Sequence, residues 1–154
     1  MHLPPKKTAR SGFTVIELMF LVSIVGVLAG IAGPAISRIV RHSRTNRAAL
    51  VITADLQNAF AVAARQRQPI QIVADSAGKS YQFIDRKTGA VLKVRSFYGD
   101  VSEYHLSKLI FTPATIDVFP SGVSSLPLTV DLGNGDYSRR ITASTAGFIR
   151  LVPR

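Results

Sequence analysis

Cysteine and tryptophan are absent from the 154 residues, and only 9 acidic side chains stand against 19 lysines and arginines. Without cysteine there is no disulfide framework, thiolate metal site or cysteine nucleophile. The redox compartment stays open, because an oxidising location permits disulfides without requiring them. The length leaves room for one domain with an appended segment and excludes a multidomain enzyme. With 47% apolar and 18% charged residues, wholesale disorder is excluded as well.

Catalytic constellations are also missing. His2, His42 and His105 are scattered, with no spacing that links them as metal ligands. His105 reads as an exposed or hydrogen-bonded histidine, and Ser102, Glu103 and Tyr104 beside it alternate between faces in strand geometry. There is no G-x-S-x-G elbow, phosphate loop or dinucleotide fingerprint. Most aspartates fall near turns, where Asp bonds its own backbone. Gly133-Asn134-Gly135-Asp136 carries too few oxygen ligands for calcium and reads as a hairpin turn. No catalytic residue, metal or cofactor is expected.

The positive charge is unevenly spread. Residues 1–12 carry a net +3, 13–36 carry −1, 37–68 carry +5 and 69–154 carry +3. Half of the total of +10 therefore lies in one 32-residue stretch, which weakens any general interpretation as a nucleic-acid-binding domain.

From Leu18 to Ile36 there are 19 residues without a charge. At about 1.5 Å of rise per residue they nearly cross a bilayer core. Lys6, Lys7 and Arg10 before this run favour a cytoplasmic N-terminus with the rest of the chain across the membrane, although the arginines from 38 to 47 oppose that orientation. Just inside the apolar stretch sits Glu17. An ionised side chain at mid-membrane costs roughly 2.5–3.5 kcal/mol and less near the edge, so such a group ordinarily has a partner and a function. No lysine or arginine within the segment can serve, whereas a free amino group at Phe13 would, after cleavage between Gly12 and Phe13. An ordinary secretory signal is the competing interpretation, supported by small residues near Val27-Leu28-Ala29, but it leaves Glu17 unexplained.

Ser11-Gly12-Phe13-Thr14-Val15-Ile16-Glu17-Leu18-Met19, with Pro34 near the end of the segment, resembles the class III leader and N-terminal helix of type IV pilins and type II secretion pseudopilins. The resemblance implies that a prepilin peptidase cuts after Gly12 and methylates the new terminus at Phe13. It also implies that Glu17 registers subunits during assembly with other pilins or pseudopilins. Residues 1–12 would then be a leader, 13–36 a transmembrane helix, 37–68 an amphipathic stem helix and 69–154 a β-rich globular domain. Gly26 and Gly30 form a G-x-x-x-G that suits either close helix approach or a merely small-residue membrane helix. Pro34 predicts a helix break, as a kink or local melting near Gly30–Gly33.

Beyond Pro34, Ala49, Ile52, Leu56, Phe60 and Ala63 recur every three or four residues and predict one apolar stripe. The helix should end near Arg67, because Pro69 disfavours helical geometry at Gln68. Arg38, Arg41, Arg44 and Arg47 suit a solvated face or an attraction to anionic headgroups at the membrane exit, in preference to a specific docking site. After Pro69 the period becomes two, in Ile70/Ile72, Tyr81/Phe83, Leu92/Val94, Ile116/Val118 and Leu126 to Leu132, with glycine-bearing turns between. The fold class expected is α+β, a long N-terminal helix packed on an antiparallel β-sheet or β-sandwich.

Phe119-Pro120-Ser121-Gly122, Arg139-Arg140-Ile141-Thr142-Ala143-Ser144 and Gly147-Phe148-Ile149-Arg150-Leu151 resemble the H-type minor pseudopilins and related minor pilins. That resemblance implies a non-enzymatic subunit of a type II secretion pseudopilus, a single-pass protein of the bacterial inner membrane with its globular part in the periplasm. The alternative is a type IV pilus minor pilin that captures DNA, through Arg139, Arg140, Arg150 and Arg154. In the DNA-uptake pilins a basic residue follows the glycine, and Phe148 stands there instead. A signal-anchored periplasmic enzyme is a third alternative that no catalytic constellation supports.

Overall fold

The computed structural model describes residues 12–99 and 102–153. The chain divides into two units, one ending at Arg38 and the other beginning at Ile39. One helix, α1 (Val15–Gln66), runs through both.

In the first unit every described residue, from Gly12 on, is exposed. An 18-residue window of α1 there has a mean hydropathy of 2.5 with none of it buried, which makes it a candidate membrane anchor by length and composition. The break expected at Pro34 does not interrupt the helix, since Pro34 lies inside α1. The residue before a proline normally resists helical geometry through a clash at its own Cβ. Here that residue is Gly33, which has none, and Ser37 Oγ donates a hydrogen bond to the Gly33 carbonyl at 3.1 Å.

In the second unit the helix buries Thr45, Ala48, Ala49, Ile52, Asp55, Leu56, Ala59, Phe60 and Ala63. All five residues of the expected stripe are among them, at the spacing that places side chains on one helical face. The helix stops at Gln66, and Arg67 adopts a left-handed φ of 53°, two residues before Pro69. That is a common way to end a helix, here reinforced by the proline that follows.

Among the described residues eight strands follow: β1 (Ile70–Asp75), β2 (Ser80–Asp85), β3 (Val91–Ser96), β4 (Lys108–Thr112), β5 (Thr115–Val118), β6 (Leu128–Asn134), β7 (Tyr137–Ala143) and β8 (Ile149–Pro153). They form two four-stranded sheets with the orders β3-β2-β1-β5 and β4-β6-β7-β8. Every pairing is antiparallel. The architecture is thus α+β, one helix packed on two antiparallel sheets. Ile52 and Leu56 of the helix share one buried cluster with Ile72 and Phe83 of the first sheet and Val130 and Ile141 of the second.

Two sequence expectations fail. Leu92 and Val94 are 45% and 64% exposed, and Leu126 precedes β6 and is 51% exposed. On β3 the two less exposed positions belong to Lys93 and Arg95, both paired with Asp55 of α1. Alternation assigns residues to two faces and does not say which face is buried.

Gly147 joins β7 to β8 at a φ of +78°, and a Cβ there would lie 3.2 Å from both the Gly122 carbonyl oxygen and Phe60 Cδ1. Gly147→Ala is therefore expected to cost about 1–3 kcal/mol of unfolding free energy, from backbone strain and the close approach together. Urea unfolding of the full chain in micelles measures this, and an unchanged midpoint would contradict it.

Candidate functional site

Thr14 is the N-cap of α1, and its carbonyl accepts the Leu18 N–H at 3.2 Å. Glu17 sits three residues on. Its Oε2 accepts the Thr14 N–H at 2.8 Å and the Thr14 hydroxyl at 3.0 Å. Thr14 Oγ1 in turn accepts the Glu17 N–H at 3.3 Å. This is a reciprocal capping box, in which two otherwise unpaired backbone donors at a helix start are satisfied. Glu17 thus has a local partner that sequence reasoning missed, although the T-x-x-E spacing before an apolar run was legible.

Only Oε2 is engaged by Thr14, and among the described residues no hydrogen bond or ion pair is made to Oε1. A carboxylate has acceptor capacity on both oxygens, so Oε1 can take an ammonium without breaking the cap. Gly12 and Phe13 precede the helix, both exposed, with Phe13 at 83%. The bond between them lies in non-helical backbone, the kind of segment a peptidase can seat. The cap uses the Thr14 amide, which survives a cut before Phe13. Residues 1–11 of the expected leader lie outside the described residues.

The second unit holds a buried charge. Asp55 is 5% exposed. It accepts Tyr81 Oη at 2.6 Å, Lys93 Nζ at 2.6 Å and Arg95 Nε at 2.5 Å. Burial pushes the Asp55 carboxyl up, but the Arg95, Lys93 and Tyr81 donors outweigh it and hold the group below its ordinary range. The Tyr81 hydroxyl is pushed up, first by burial and then by its bond to Asp55. The network ties α1 to β2 and β3.

The four arginines considered for DNA are not brought together. Arg139 and Arg140 are neighbours in β7, so their side chains leave opposite faces. Arg139 Nε donates to Asn46 Oδ1 of α1 at 2.8 Å, and its guanidinium lies 5.2 Å from the Tyr137 ring centroid. Tyr137 stacks on His42 at 3.9 Å and donates to the same Asn46 oxygen at 3.0 Å. Arg140 forms a fork with Asp131 at 2.8 and 3.0 Å. Arg150 is exposed on β8, and Arg154 lies outside the described residues. Two of the four are thus held by other parts of the chain, a poor arrangement for neutralising adjacent phosphates. Among the described residues no group of three or more His, Asp or Glu could hold a metal ion.

An N-terminal helix, apolar and exposed in its first half and packed in its second against two antiparallel sheets, is a type IV pilin-like fold, and this chain has it. The particular proteins it resembles are pilins and a pseudopilin. The type IV minor pilin FimU of Pseudomonas aeruginosa aligns with a TM-score of 0.58 and 25% identity, covering 72% of this chain and 90% of that one. The minor pseudopilin EpsH from the type 2 secretion system of Vibrio cholerae aligns with a TM-score of 0.53 and 19% identity, covering 71% and 97%. In sequence, the type IV major alpha-pilin of Moraxella bovis is 49% identical over 39 residues, 25% of this chain and 24% of that protein. Fimbrial protein Q of the same organism matches at 49% over 39 residues, 25% of each chain. The chain therefore spans about a quarter of the length of these sequence relatives. No protein-family model matches it.

Proposed function

We propose that the chain is a minor subunit of a pilin-type filament and works by assembly, not catalysis. One observation carries this proposal. From Val15 to Ile36 the helix offers large apolar side chains that are 55–80% exposed, around a carboxylate with a free oxygen near its start. Such a surface suits the bilayer first and the helices of neighbouring subunits afterwards. Gly26 and Gly30 have nothing within 4 Å of the position a Cβ would take, which leaves room for close approach.

In this scheme prepilin peptidase cuts between Gly12 and Phe13 and methylates Phe13. The protein rests in the inner membrane with residues 39–154 in the periplasm, and the Phe13 ammonium meets Glu17 Oε1, within the subunit or across to the next. The proposed segments are 1–12 as leader, 13–36 as membrane helix, 37–68 as stem and 69–154 as β-rich domain. The proline at 34 serves as a site of bending when the helix leaves the bilayer, with Gly30 and Gly33 relieving the local crowding.

Two systems use such subunits, and the 25% identity to FimU against 19% to EpsH favours the type IV pilus. The secretion assignment, which the short C-terminal fragments favoured, keeps support from the alignment covering 97% of EpsH. DNA capture gains no support from the dispersed arginines. N-terminal sequencing of the native protein should begin at N-methylated Phe13, and any other start would contradict the processing proposed. Deletion of the gene should remove surface pili and leave exoprotein secretion intact. The reverse phenotype would assign the subunit to secretion.

A further inference from the structure

We propose that Arg44, Arg47 and His105 form a binding pocket for the phosphate of an anionic phospholipid headgroup. A cavity of about 420 Å³ is lined by Val40, Ser43, Arg44 and Arg47 of α1 and by Glu103 and His105 of the connection between β3 and β4. The ion pairs among the described residues involve Arg86, Lys93, Arg95 and Arg140, and none involves Arg44 or Arg47. Other carboxylates have their own partners. Asp55, Asp117 and Asp131 hold those four cations, while Asp75 and Asp85 accept turn amides. Glu103 is the one acid on the cavity wall, and it lies in no ion pair with either arginine among the described residues.

Two like charges three residues apart on a helix repel, and a bound anion turns that repulsion into attraction. Guanidinium forks match the oxygens of a phosphate, with the Ser43 hydroxyl and the His105 ring as further donors in the same cavity. His105 is held at a left-handed φ of 46°, an uncommon conformation for a residue other than glycine. Val40, 39% exposed on the same wall, suits a glycerol backbone better than it suits a free anion or an acidic peptide.

The proposed source follows from position along the chain, and it rests on the membrane-anchor proposal above. Arg44 and Arg47 follow Ile36 by eight and eleven residues, and basic side chains in the stretch just after a membrane span are attracted to anionic headgroups.

The test uses the full chain in micelles of an uncharged detergent, titrated with dihexanoyl phosphatidylglycerol while the His105 ring resonances are followed. Saturable shifts are expected, with affinity lowered about tenfold or more by Arg44→Gln/Arg47→Gln. A smaller loss is expected for Arg44→Lys/Arg47→Lys, which keeps charge without the fork, and none for Arg150→Gln. Circular dichroism checks that each variant is folded. Equal affinity in wild type and the double glutamine variant would overturn the pocket. Inorganic phosphate binding as tightly as the lipid would overturn the headgroup source, and tighter binding of a glutamate-rich peptide would point to a protein partner and overturn it too. Filament incorporation is a separate measurement, so failure here leaves the assembly proposal standing, and failure to assemble leaves this binding result intact.

Discussion

If Glu17 pairs with the Phe13 ammonium as proposed, Glu17→Ala is expected to leave the protein in the membrane while cutting its incorporation into filaments at least about tenfold, the effect of losing that desolvated ion pair, worth a kcal/mol or more. Insertion should not suffer, because the substitution removes a charge whose burial costs roughly 2.5–3.5 kcal/mol at mid-membrane. The helix start loses its reciprocal cap, at about 1 kcal/mol, which frays a turn without unfolding a 52-residue helix. Thr14→Val separates the two contributions. It removes the hydroxyl bond to Glu17 Oε2 and the acceptor for the Glu17 N–H, but keeps the carboxylate and the Thr14-position amide. Its incorporation should fall less than that of Glu17→Ala. Immunoblots of sheared filaments against membranes give both numbers, and normal incorporation of Glu17→Ala would remove the carboxylate from the assembly mechanism.

Asp55→Ala is expected to cost about 2–4 kcal/mol of unfolding free energy. Removing one member of a buried pair leaves the others uncompensated, and about a third of each cation is exposed, which moderates the penalty for Lys93 and Arg95. Tyr81 pays more, since its hydroxyl is 2.6 Å from Asp55 and the residue is 2% exposed. The pH dependence has a definite sign. A carboxyl held below its ordinary 3.8 in the folded state adds stability that is complete above that value and is lost as pH falls through the lower, folded one. Wild type and Asp55→Asn should therefore differ most above about pH 4 and converge in stronger acid. Urea midpoints across that range test this, and a difference that stayed constant into strong acid would contradict it.

Much of the fold was legible in local pattern. The uncharged run from Leu18 to Ile36 and the stripe from Ala49 to Ala63 fall on α1, and glycines with positive φ stand at 89, 122, 135 and 147, where turns were expected. The period-two alternation did not mark β4 or β7. Their apolar pairs, Leu109/Phe111 and Ile141/Ala143, are short, and Arg139-Arg140 gives β7 a polar start. The capping box was readable at Thr14 and Glu17, whose three-residue spacing lets each side chain reach the other's backbone N–H.

Helix length, strand alternation and the carboxylate at the helix start were thus determined by the sequence itself, because each depends on residues within one or two turns of one another. The tertiary structure decided which face of β3 turns inward and which arginines stay free. Asp55 lies 26, 38 and 40 residues from Tyr81, Lys93 and Arg95, and no local periodicity encodes that meeting. A buried carboxylate must find donors wherever the fold brings them, and satisfying it outweighed exposing Leu92 and Val94 on an edge strand.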